Sequence, residues 1–323
     1  MNYQGTITEG EQFDREQDAM ILHKAMSGIG TDDKAIIDVL ASRSNAQRQH
    51  IRAYYKTAFG RELTEHLQSK LSCNYRRTVR ALMDPPVEYY ARCLYEAIKG
   101  LGTDEEALVE VLCTKDNEEI KEIKVHYKNA YKRDLEEDVA GDTSGHFRRL
   151  MLSMCSAGRD ENRSVDQEKA KADAQAIFDA GEARWGTDEA VFNRILATQS
   201  YAQLRAIFDE YDKISDKGIE GAIISETSGD LQDGFLSLVK SVRDTQSFFA
   251  ERLYKSMKGL GTNDEMLIRC VVSRAEIDLA KIKEIFLANY GQSLGQFIKD
   301  DTSGAYRDLL LRIVDGDTCH PSS

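Results

Sequence analysis

Four copies of a short glycine–threonine loop occur in this chain, and three are followed at a fixed distance by a carboxylate. A glycine directly precedes the loop threonines, which are Thr31, Thr103, Thr187 and Thr262. Forty residues after each of those glycines stand Lys70, Asp142, Glu226 and Asp301. The three acids begin nearly identical strings, Asp-Thr-Ser-Gly or Glu-Thr-Ser-Gly, so the copies agree over a segment and not at one residue alone.

A glycine loop and a distant acid together offer the hard oxygen ligands that Ca²⁺ prefers. The ion takes roughly six to eight oxygens at about 2.3–2.6 Å. Three loop carbonyls and one bidentate carboxylate supply five, which leaves positions for water or a lipid phosphate. Because one carboxylate does not neutralise a divalent cation, an anionic headgroup would complete such a site. The sequence contains no Asp-x-Asp-x-Asp-Gly run of the kind that encloses Ca²⁺ in sensor loops.

The same residues also fit a purely structural interpretation. Glycine accepts the left-handed conformation that ends a helix, and a threonine hydroxyl can cap the next helix. Thr103 with Glu106, and Thr262 with Glu265, have the spacing of a capping box. The acid before Thr-Ser-Gly could likewise cap a following helix. We therefore expect helix–helix turns that serve a second purpose as Ca²⁺ sites.

Composition narrows the class of partner. The 323 residues carry a formal net charge of −12, which argues against nucleic acid and against direct adhesion to an anionic membrane. A divalent cation could reverse the charge locally. The six cysteines have no zinc spacing and are expected to be free thiols in a reducing compartment. With no secretory signal and no membrane-length apolar run, the protein is predicted to be cytoplasmic and at most peripheral on membranes.

Helical periodicity after each loop predicts an all-α protein of four similar modules. Each module should contain five helices, with an aromatic run on the third, and four modules should pack into one body because one alone builds only a marginal core. Boundaries are expected at residues 1–13 (tail), 14–83 (module one), 86–156 (module two), 157–167 (linker), 168–242 (module three), 245–315 (module four) and 316–323 (tail). The linker is the longest joint, so we expect the array to divide there into two halves.

Four modules, Gly-x-Gly-Thr loops, an acid forty residues on and an aromatic third helix together resemble the annexins, over roughly residues 14–315. The resemblance implies the annexin fold, a slightly curved disc of four five-helix repeats with Ca²⁺ loops on its convex face. It also implies Ca²⁺-dependent, reversible binding to acidic phospholipids of the phosphatidylserine type.

The resemblance also implies ligands at the matching positions. Module two would use the carbonyls of Ile98, Gly100 and Gly102 with Asp142, and module four those of Met257, Gly259 and Gly261 with Asp301. In module three, Gly181, Arg184 and Gly186 would join Glu226. Weaker positions would pair each loop threonine with the acid two residues later, namely Thr103 with Glu105, Thr187 with Glu189, and Thr262 with Asp264.

Module one departs from this pattern, because Lys70 replaces the acid and an ammonium repels Ca²⁺. We predict that it lacks the main site, although Met26, Gly28 and Gly30 keep their carbonyls and Thr31 with Asp33 could hold a weak ion. Lys70 is either an ordinary solvated lysine or a direct ligand of lipid phosphate. Trp185, the only tryptophan, is expected at the membrane interface or folded into module three. Lys99, Arg184 and Lys258 flank the loops as candidate phosphate ligands.

The sequence shows no catalytic constellation, so we predict a binding protein and no enzyme. The alternative function is a helical scaffold for a protein partner, cytoskeletal or in membrane trafficking. Lateral self-association on membranes is also expected, since many shallow sites gain by avidity.

Overall fold

The computed structural model describes residues 4–9, 12–184 and 186–316, and this part of the chain forms twenty α-helices and no strand. The prediction of an all-helical chain with five helices per module is confirmed. Five of the six cysteines lie in the described part and all five are free thiols, with Cys73 exposed.

Five helices follow one another in the same order in each module. Module one contains α1 (Arg15–Ala25), α2 (Asp33–Ala41), α3 (Asn45–Phe59), α4 (Leu63–Lys70) and α5 (Cys73–Met83). Module two contains α6 (Pro86–Ile98), α7 (Glu105–Thr114), α8 (Asn117–Tyr131), α9 (Leu135–Asp142) and α10 (Gly145–Cys155). Module three contains α11 (Gln167–Ala180), α12 (Glu189–Thr198), α13 (Tyr201–Ile214), α14 (Gly218–Glu226) and α15 (Gly229–Arg243). Module four contains α16 (Thr245–Met257), α17 (Asp264–Arg274), α18 (Leu279–Tyr290), α19 (Leu294–Asp301) and α20 (Gly304–Asp315).

Helix α8 shows why these segments fold as they do. Asp116 accepts the Glu119 N–H while the Glu119 side chain accepts the Asp116 N–H, so a capping box defines the first turn. Lys132 ends the helix in the left-handed conformation. Ile120, Ile123 and Tyr127 recur at helical spacing and are buried, so one face of the helix packs into the core.

The third helix of each module carries the predicted aromatic run, and part of that run is buried in the core. Its innermost rings are fully buried and belong to Tyr55, Tyr127, Tyr211 and Phe286. In three modules another ring of the same helix stacks on a ring of the module's first helix. Centroid separations are 4.0 Å for His23–Phe59, 3.8 Å for Tyr95–Tyr131 and 3.9 Å for Tyr254–Tyr290. These pairs fix the first helix, which leads into the glycine loop, against the third.

The expected division into two sequential halves is wrong. One compact unit contains the chain up to Pro86 together with the chain from Gln246 onward, and the other contains Val87–Thr245. In the first unit α2 and α5 of module one pack against α20 and α17 of module four; in the second, α7 and α10 of module two pack against α15 and α12 of module three. The second and fifth helices of each module are therefore the ones that bury their apolar faces against another module.

The linker fails as a hinge because hydrogen bonds attach it to both modules of its unit. Asn117 in module two donates to the Arg159 carbonyl at 2.8 Å. The Arg159 guanidinium donates in turn to the Gln199 carbonyl of module three at 2.7 Å. Arg159 is half-buried and its guanidinium lies 4.8 Å from the centroid of the Tyr201 ring, whereas residues 160–167 are exposed, so the linker is anchored at Arg159.

Candidate calcium-binding loops

The loop of module two joins α6 to α7 in a conformation that requires its glycines. Gly100 and Gly102 have φ values of 127° and 87°, which residues with a Cβ adopt only under strain. The Asp104 N–H donates to the Ala97 carbonyl at 2.9 Å and closes the loop. Module four repeats this geometry, with φ values of 111° at Gly259 and 91° at Gly261.

Both loops leave their carbonyl oxygens available. Within the described residues, no hydrogen bond is accepted by the carbonyls of Ile98, Gly100, Gly102, Met257, Gly259 and Gly261. A set of three unengaged carbonyls on one turn is the donor chemistry that a hard cation takes.

The loop threonine brings the distal acid to the loop. The Thr103 hydroxyl lies 2.6 Å from Asp142 Oδ2 and 3.1 Å from the Asp142 carbonyl oxygen. Thr187 lies 3.0 Å from Glu226 Oε2. Thr262 donates a short hydrogen bond to Asp301 Oδ2. In all three modules, residues that are far apart in sequence therefore form one local cluster of hard oxygens.

The capping interpretation of these threonines is wrong. The helix N-cap is the residue after each threonine, and in module two Asp104 accepts the Ala107 N–H at 2.9 Å. A carboxylate or amide at the cap leaves the threonine hydroxyl free to donate to the distal acid. The acid does not cap the fifth helix either, because Asp142 is the last residue of α9 and the N-cap of α10 is Ser144.

Module three forms a longer turn. The Arg184 N–H donates to the Gly181 carbonyl at 3.1 Å, so that predicted ligand already accepts one hydrogen bond, with its second lone pair open. Glu182 accepts the hydroxyls of Tyr211 and Ser215 at 2.8 and 2.6 Å, which fastens the turn to α13 and the segment after it. Trp185 lies outside the described residues. Gly186 follows it with φ 77°.

Module one keeps the loop and lacks the acid. Gly28 and Gly30 have φ values of 104° and 83°, and the Met26, Gly28 and Gly30 carbonyls accept no hydrogen bond within the described chain. The Thr31 hydroxyl, without a distal carboxylate, donates to Asp33 Oδ1 at 2.6 Å. Lys70 ends α4 and is exposed.

The acids predicted for weaker sites share one position. Asp33, Glu105, Glu189 and Asp264 are each the first residue of a second helix, where the helix dipole favours an anion. Glu189 lies 3.8 Å from His146 Nε2, at the edge of an open cavity of about 600 Å³ that Glu226 also lines. The cavity places His146 of module two near the acid of module three.

Three apolar loop-tip residues were missed by sequence reasoning. Ile29, Leu101 and Leu260 stand between the two loop glycines and are fully exposed, at 110, 109 and 109% of their reference area. The sequence could have predicted their exposure, because each lies between two glycines, which have no side chains to cover it. Trp185 occupies the matching place in the sequence of module three.

The predicted cations beside the loops rest on aromatic rings. Lys99 Nζ lies 5.4 Å from the centroid of Tyr95, and Lys258 Nζ lies 5.4 Å from that of Tyr254. Both lysines and Arg184 are exposed. A cation held over an aromatic face keeps its charge beside the loop while its stem packs on the ring.

The annexin sequence profile matches this chain four times, over residues 17–82, 89–154, 172–238 and 248–313. The chain belongs to the annexin family. Annexins are known for Ca²⁺-dependent phospholipid binding.

Similar proteins cover almost the whole chain. Annexin A13 of Homo sapiens is 49% identical over 313 residues, which is 97% of this chain and 99% of that protein. The solved structure of annexin III is 44% identical, with a TM-score of 0.94 over 98% of both chains. A calcium-bound annexin (Sm)1 structure is 33% identical, with a TM-score of 0.86 over 97% of this chain and 93% of the other.

Two further observations describe this annexin. No helix in the described chain is long and apolar enough to cross a membrane. Among the same residues, no three His, Cys, Asp or Glu side chains converge as a metal cluster. The loops of modules two, three and four each combine a single distal acid with backbone carbonyls, and this all-oxygen donor set fits Ca²⁺.

Proposed function

We propose that this annexin binds acidic phospholipid membranes reversibly when Ca²⁺ rises, through the loops of modules two, three and four. The observation that carries the proposal is the pairing of unengaged loop carbonyls with a carboxylate held by a threonine of the same loop. In module two these groups are Ile98, Gly100, Gly102 and Asp142, with Thr103 as the positioning residue.

The threonine hydroxyl prepares the acid for its role. A charge-assisted hydrogen bond contributes about 1.5–3 kcal/mol, less where the pair is half exposed. The hydrogen bond from Thr103 holds the Asp142 carboxylate at the loop before Ca²⁺ arrives. The conformational entropy lost when the ion binds is therefore smaller. The five protein oxygens leave coordination positions free, and Ca²⁺, when bound, would supply the positive charge that attracts a lipid phosphate.

The exposed loop tips supply the apolar part of membrane binding. Leu101 and Leu260 project without cover, and burying such a side chain is favourable by about 1.5–3 kcal/mol. Trp185 is proposed to act likewise in module three, since tryptophan favours the membrane interface. Lys99, Arg184 and Lys258 are placed beside the loops to contact phosphates.

Several weak contacts then act together. Loops that are engaged on the same membrane raise one another's effective concentration. We propose a cytoplasmic, non-enzymatic protein that becomes peripheral on phosphatidylserine-type membranes and self-associates there laterally. Module one contributes no main Ca²⁺ site, because Lys70 repels a cation.

The test is co-sedimentation with phosphatidylserine vesicles across a Ca²⁺ series. Asp142→Ala, Glu226→Ala and Asp301→Ala should each raise the Ca²⁺ concentration needed for half-maximal pelleting. Glu137→Ala is the matched control, because Glu137 is an exposed acid on α9 with no partner in the described chain. Pelleting that ignores Ca²⁺, or no pelleting, would contradict the proposal and favour a scaffold that binds a protein partner.

A further inference from the structure

Two histidines of module one meet the hydroxyl of one buried tyrosine. His66 Nδ1 lies 2.7 Å from the Tyr55 oxygen, and His23 Nδ1 lies 3.1 Å from the same oxygen. The three residues belong to different helices, His23 to α1, Tyr55 to α3 and His66 to α4. Tyr55 is fully buried, His66 is 7% exposed and His23 is half-buried. Three side chains that can bind a transition metal therefore converge inside the module, at a point that solvent reaches beside His23.

The other modules have no such pair of imidazoles at the equivalent ring. The Tyr127 hydroxyl of module two donates to Asp138 at 2.7 Å, and the Tyr211 hydroxyl of module three donates to Glu182 at 2.8 Å. Module four has Phe286 there, which carries no hydroxyl. The two nitrogen ligands are therefore a feature of module one and not of the repeat.

Hydrogen bonds hold the three side chains together in the absence of an ion. The phenol has one O–H to donate, so one Nδ1 accepts that proton and the other Nδ1 donates its own to the phenol oxygen. Stacking of His23 on Phe59, with centroids 4.0 Å apart, fixes the plane of the more exposed ring. The ligand atoms are thus gathered before a metal arrives, which lowers the entropy lost on binding.

The separations fit a tetragonal metal ion. Bonds of about 2.0–2.1 Å at right angles place two ligand atoms about 2.9 Å apart. The observed separations from the phenol oxygen, 2.7 and 3.1 Å, lie on either side of that value. Two imidazoles bound at the same length on opposite sides of one ion would have ring centroids about 6.4 Å apart. The centroids of His23 and His66 are 6.4 Å apart, so the rings are placed as trans ligands with the phenol oxygen between them.

The donor atoms and their geometry select the class of metal. Ca²⁺ takes oxygen ligands, whereas imidazole suits transition metals. Zn²⁺ prefers a tetrahedron, and a planar set of nitrogen and oxygen ligands is typical of Cu²⁺ or Ni²⁺, of which Cu²⁺ binds more tightly. Burial is the largest cause that lowers the pKa of His66, so its imidazole is neutral near neutral pH and can act as a ligand.

We propose that His23, Tyr55 and His66 bind one Cu²⁺ ion in module one, with the remaining planar position open to water. On binding, the Tyr55 hydroxyl loses its proton to solvent, and the Nδ1 proton of the donating imidazole moves to Nε2. The phenolate oxygen and both Nδ1 atoms then each donate a lone pair, and the copper stays Cu²⁺, so no reductant or oxidant is needed. His23 lies in the last turn of α1, so the ion joins the helix that leads into the glycine loop to α3 and α4.

The experiment is titration of the full chain with Cu²⁺ after its accessible thiols have been alkylated. Alkylation is needed because Cu²⁺ oxidises free thiols and Cys73 is exposed. Equilibrium dialysis counts the bound ions, visible absorption detects a phenolate ligand by its charge transfer to copper, and electron paramagnetic resonance detects nitrogen ligands. The wild type should bind one tight ion with a phenolate band and two nitrogens. None of these measurements uses membranes or Ca²⁺, so failure here leaves the proposed membrane function untouched.

Matched variants assign the ligands. Tyr55→Phe keeps the ring in the core but should abolish the phenolate band and weaken binding by at least about 100-fold, since even losing a residue that only supports a metal ligand costs about 10- to 100-fold. Tyr127→Phe makes the same change at the equivalent position of module two and should keep the band. His66→Asn should leave one nitrogen in the spectrum, whereas His50→Asn, at an exposed position of α3, should leave two.

Circular dichroism without metal checks that each variant is folded, and Tyr55→Phe decides the question if His66→Asn does not fold. Copper bound without a phenolate band would be an adventitious ion only and would overturn the inference. So would loss of the band in Tyr127→Phe to the same extent as in Tyr55→Phe. Equal loss of nitrogen signal in His50→Asn and His66→Asn would also contradict it, because the ion would then be bound at the surface.

Discussion

Lys70→Asp should create a main Ca²⁺ site in module one, because module one already has the glycine loop with three unengaged carbonyls. An ammonium about 5 Å from a divalent cation in water costs about 1.7 kcal/mol, and a carboxylate there gains about the same. Water is the appropriate medium because Lys70 is exposed. The gross change is therefore about 3 kcal/mol.

Part of that gain is lost in reorganising the loop. Thr31 now donates to Asp33 at 2.6 Å and must turn to the new carboxylate, as Thr103 does in module two. If the new hydrogen bond from Thr31 is weaker than the one it replaces, the exchange costs up to about 1 kcal/mol. The net gain of about 2 kcal/mol corresponds to roughly 30-fold in Ca²⁺ affinity for this loop.

Equilibrium dialysis of Ca²⁺ in the presence of phosphatidylserine vesicles measures the result directly. Lys70→Asp should bind one more ion per chain than the wild type, and Lys70→Gln should lie between them because it removes only the repulsion. Lys34→Asp makes the same charge change at an exposed lysine of α2 that is paired with Asp38. If Lys34→Asp gains as much as Lys70→Asp, or if neither gains, the reasoning about the loop is refuted.

Three further predictions concern module one and the loop tips. Cys73→Gly should raise the free energy of unfolding by about 0.5–1 kcal/mol, since Cys73 has φ 48° where the other modules have glycine, and the strain relieved exceeds the entropy glycine adds to the unfolded chain. Thermal unfolding should show a rise of about 2 °C. The wild type should lose stability as pH falls below the ordinary histidine pKa, because His66 has a lowered pKa and the unfolded chain takes up the proton first. His66→Asn should flatten that slope in denaturant unfolding at a series of pH values. Leu101→Ser should weaken Ca²⁺-dependent vesicle binding by about 1.5–3 kcal/mol, roughly 10- to 150-fold in the partition coefficient.

Each of these has a result that would contradict it. Cys73→Ala keeps the strained backbone. If it stabilises the protein as much as Cys73→Gly does, the gain comes from removing the thiol and not from relieving backbone strain. If the free energy of unfolding of His66→Asn still falls with pH as in the wild type, groups other than His66 cause the pH dependence. Val125 on α8, an exposed apolar residue away from the loops, is the control for Leu101. If Val125→Ser weakens vesicle binding as much as Leu101→Ser, the loop tip is not part of the membrane interface.

Helical periodicity was enough to predict the elements, because each helix buries an apolar face. Spacing between loop and acid was enough to propose the Ca²⁺ ligands, and the structure brings Thr103 and Asp142 together as that proposal needs. The role of the threonine was not predictable from local rules, which favour threonine as a cap. Its neighbour Asp104 is the stronger cap and takes that position.

The sequence also did not predict which modules pack against each other. The length of the linker suggested a hinge, but chain distance does not decide which apolar faces meet. Arg159 is an ordinary charged residue in the sequence, and only its hydrogen bonds with Asn117 and Gln199 show that the linker is anchored to both modules.

In modules two, three and four the loop threonine donates a hydrogen bond to the distal acid of the same module, so each proposed Ca²⁺ site is assembled within one module. One module can lack the distal acid, as module one does with Lys70, without disturbing the sites of the others. Independence also means that the protein itself need not couple its loops. A steep response to Ca²⁺ would then be a property of the lipid surface, which gathers several separate receptors on one chain, and not of any shape change transmitted between them.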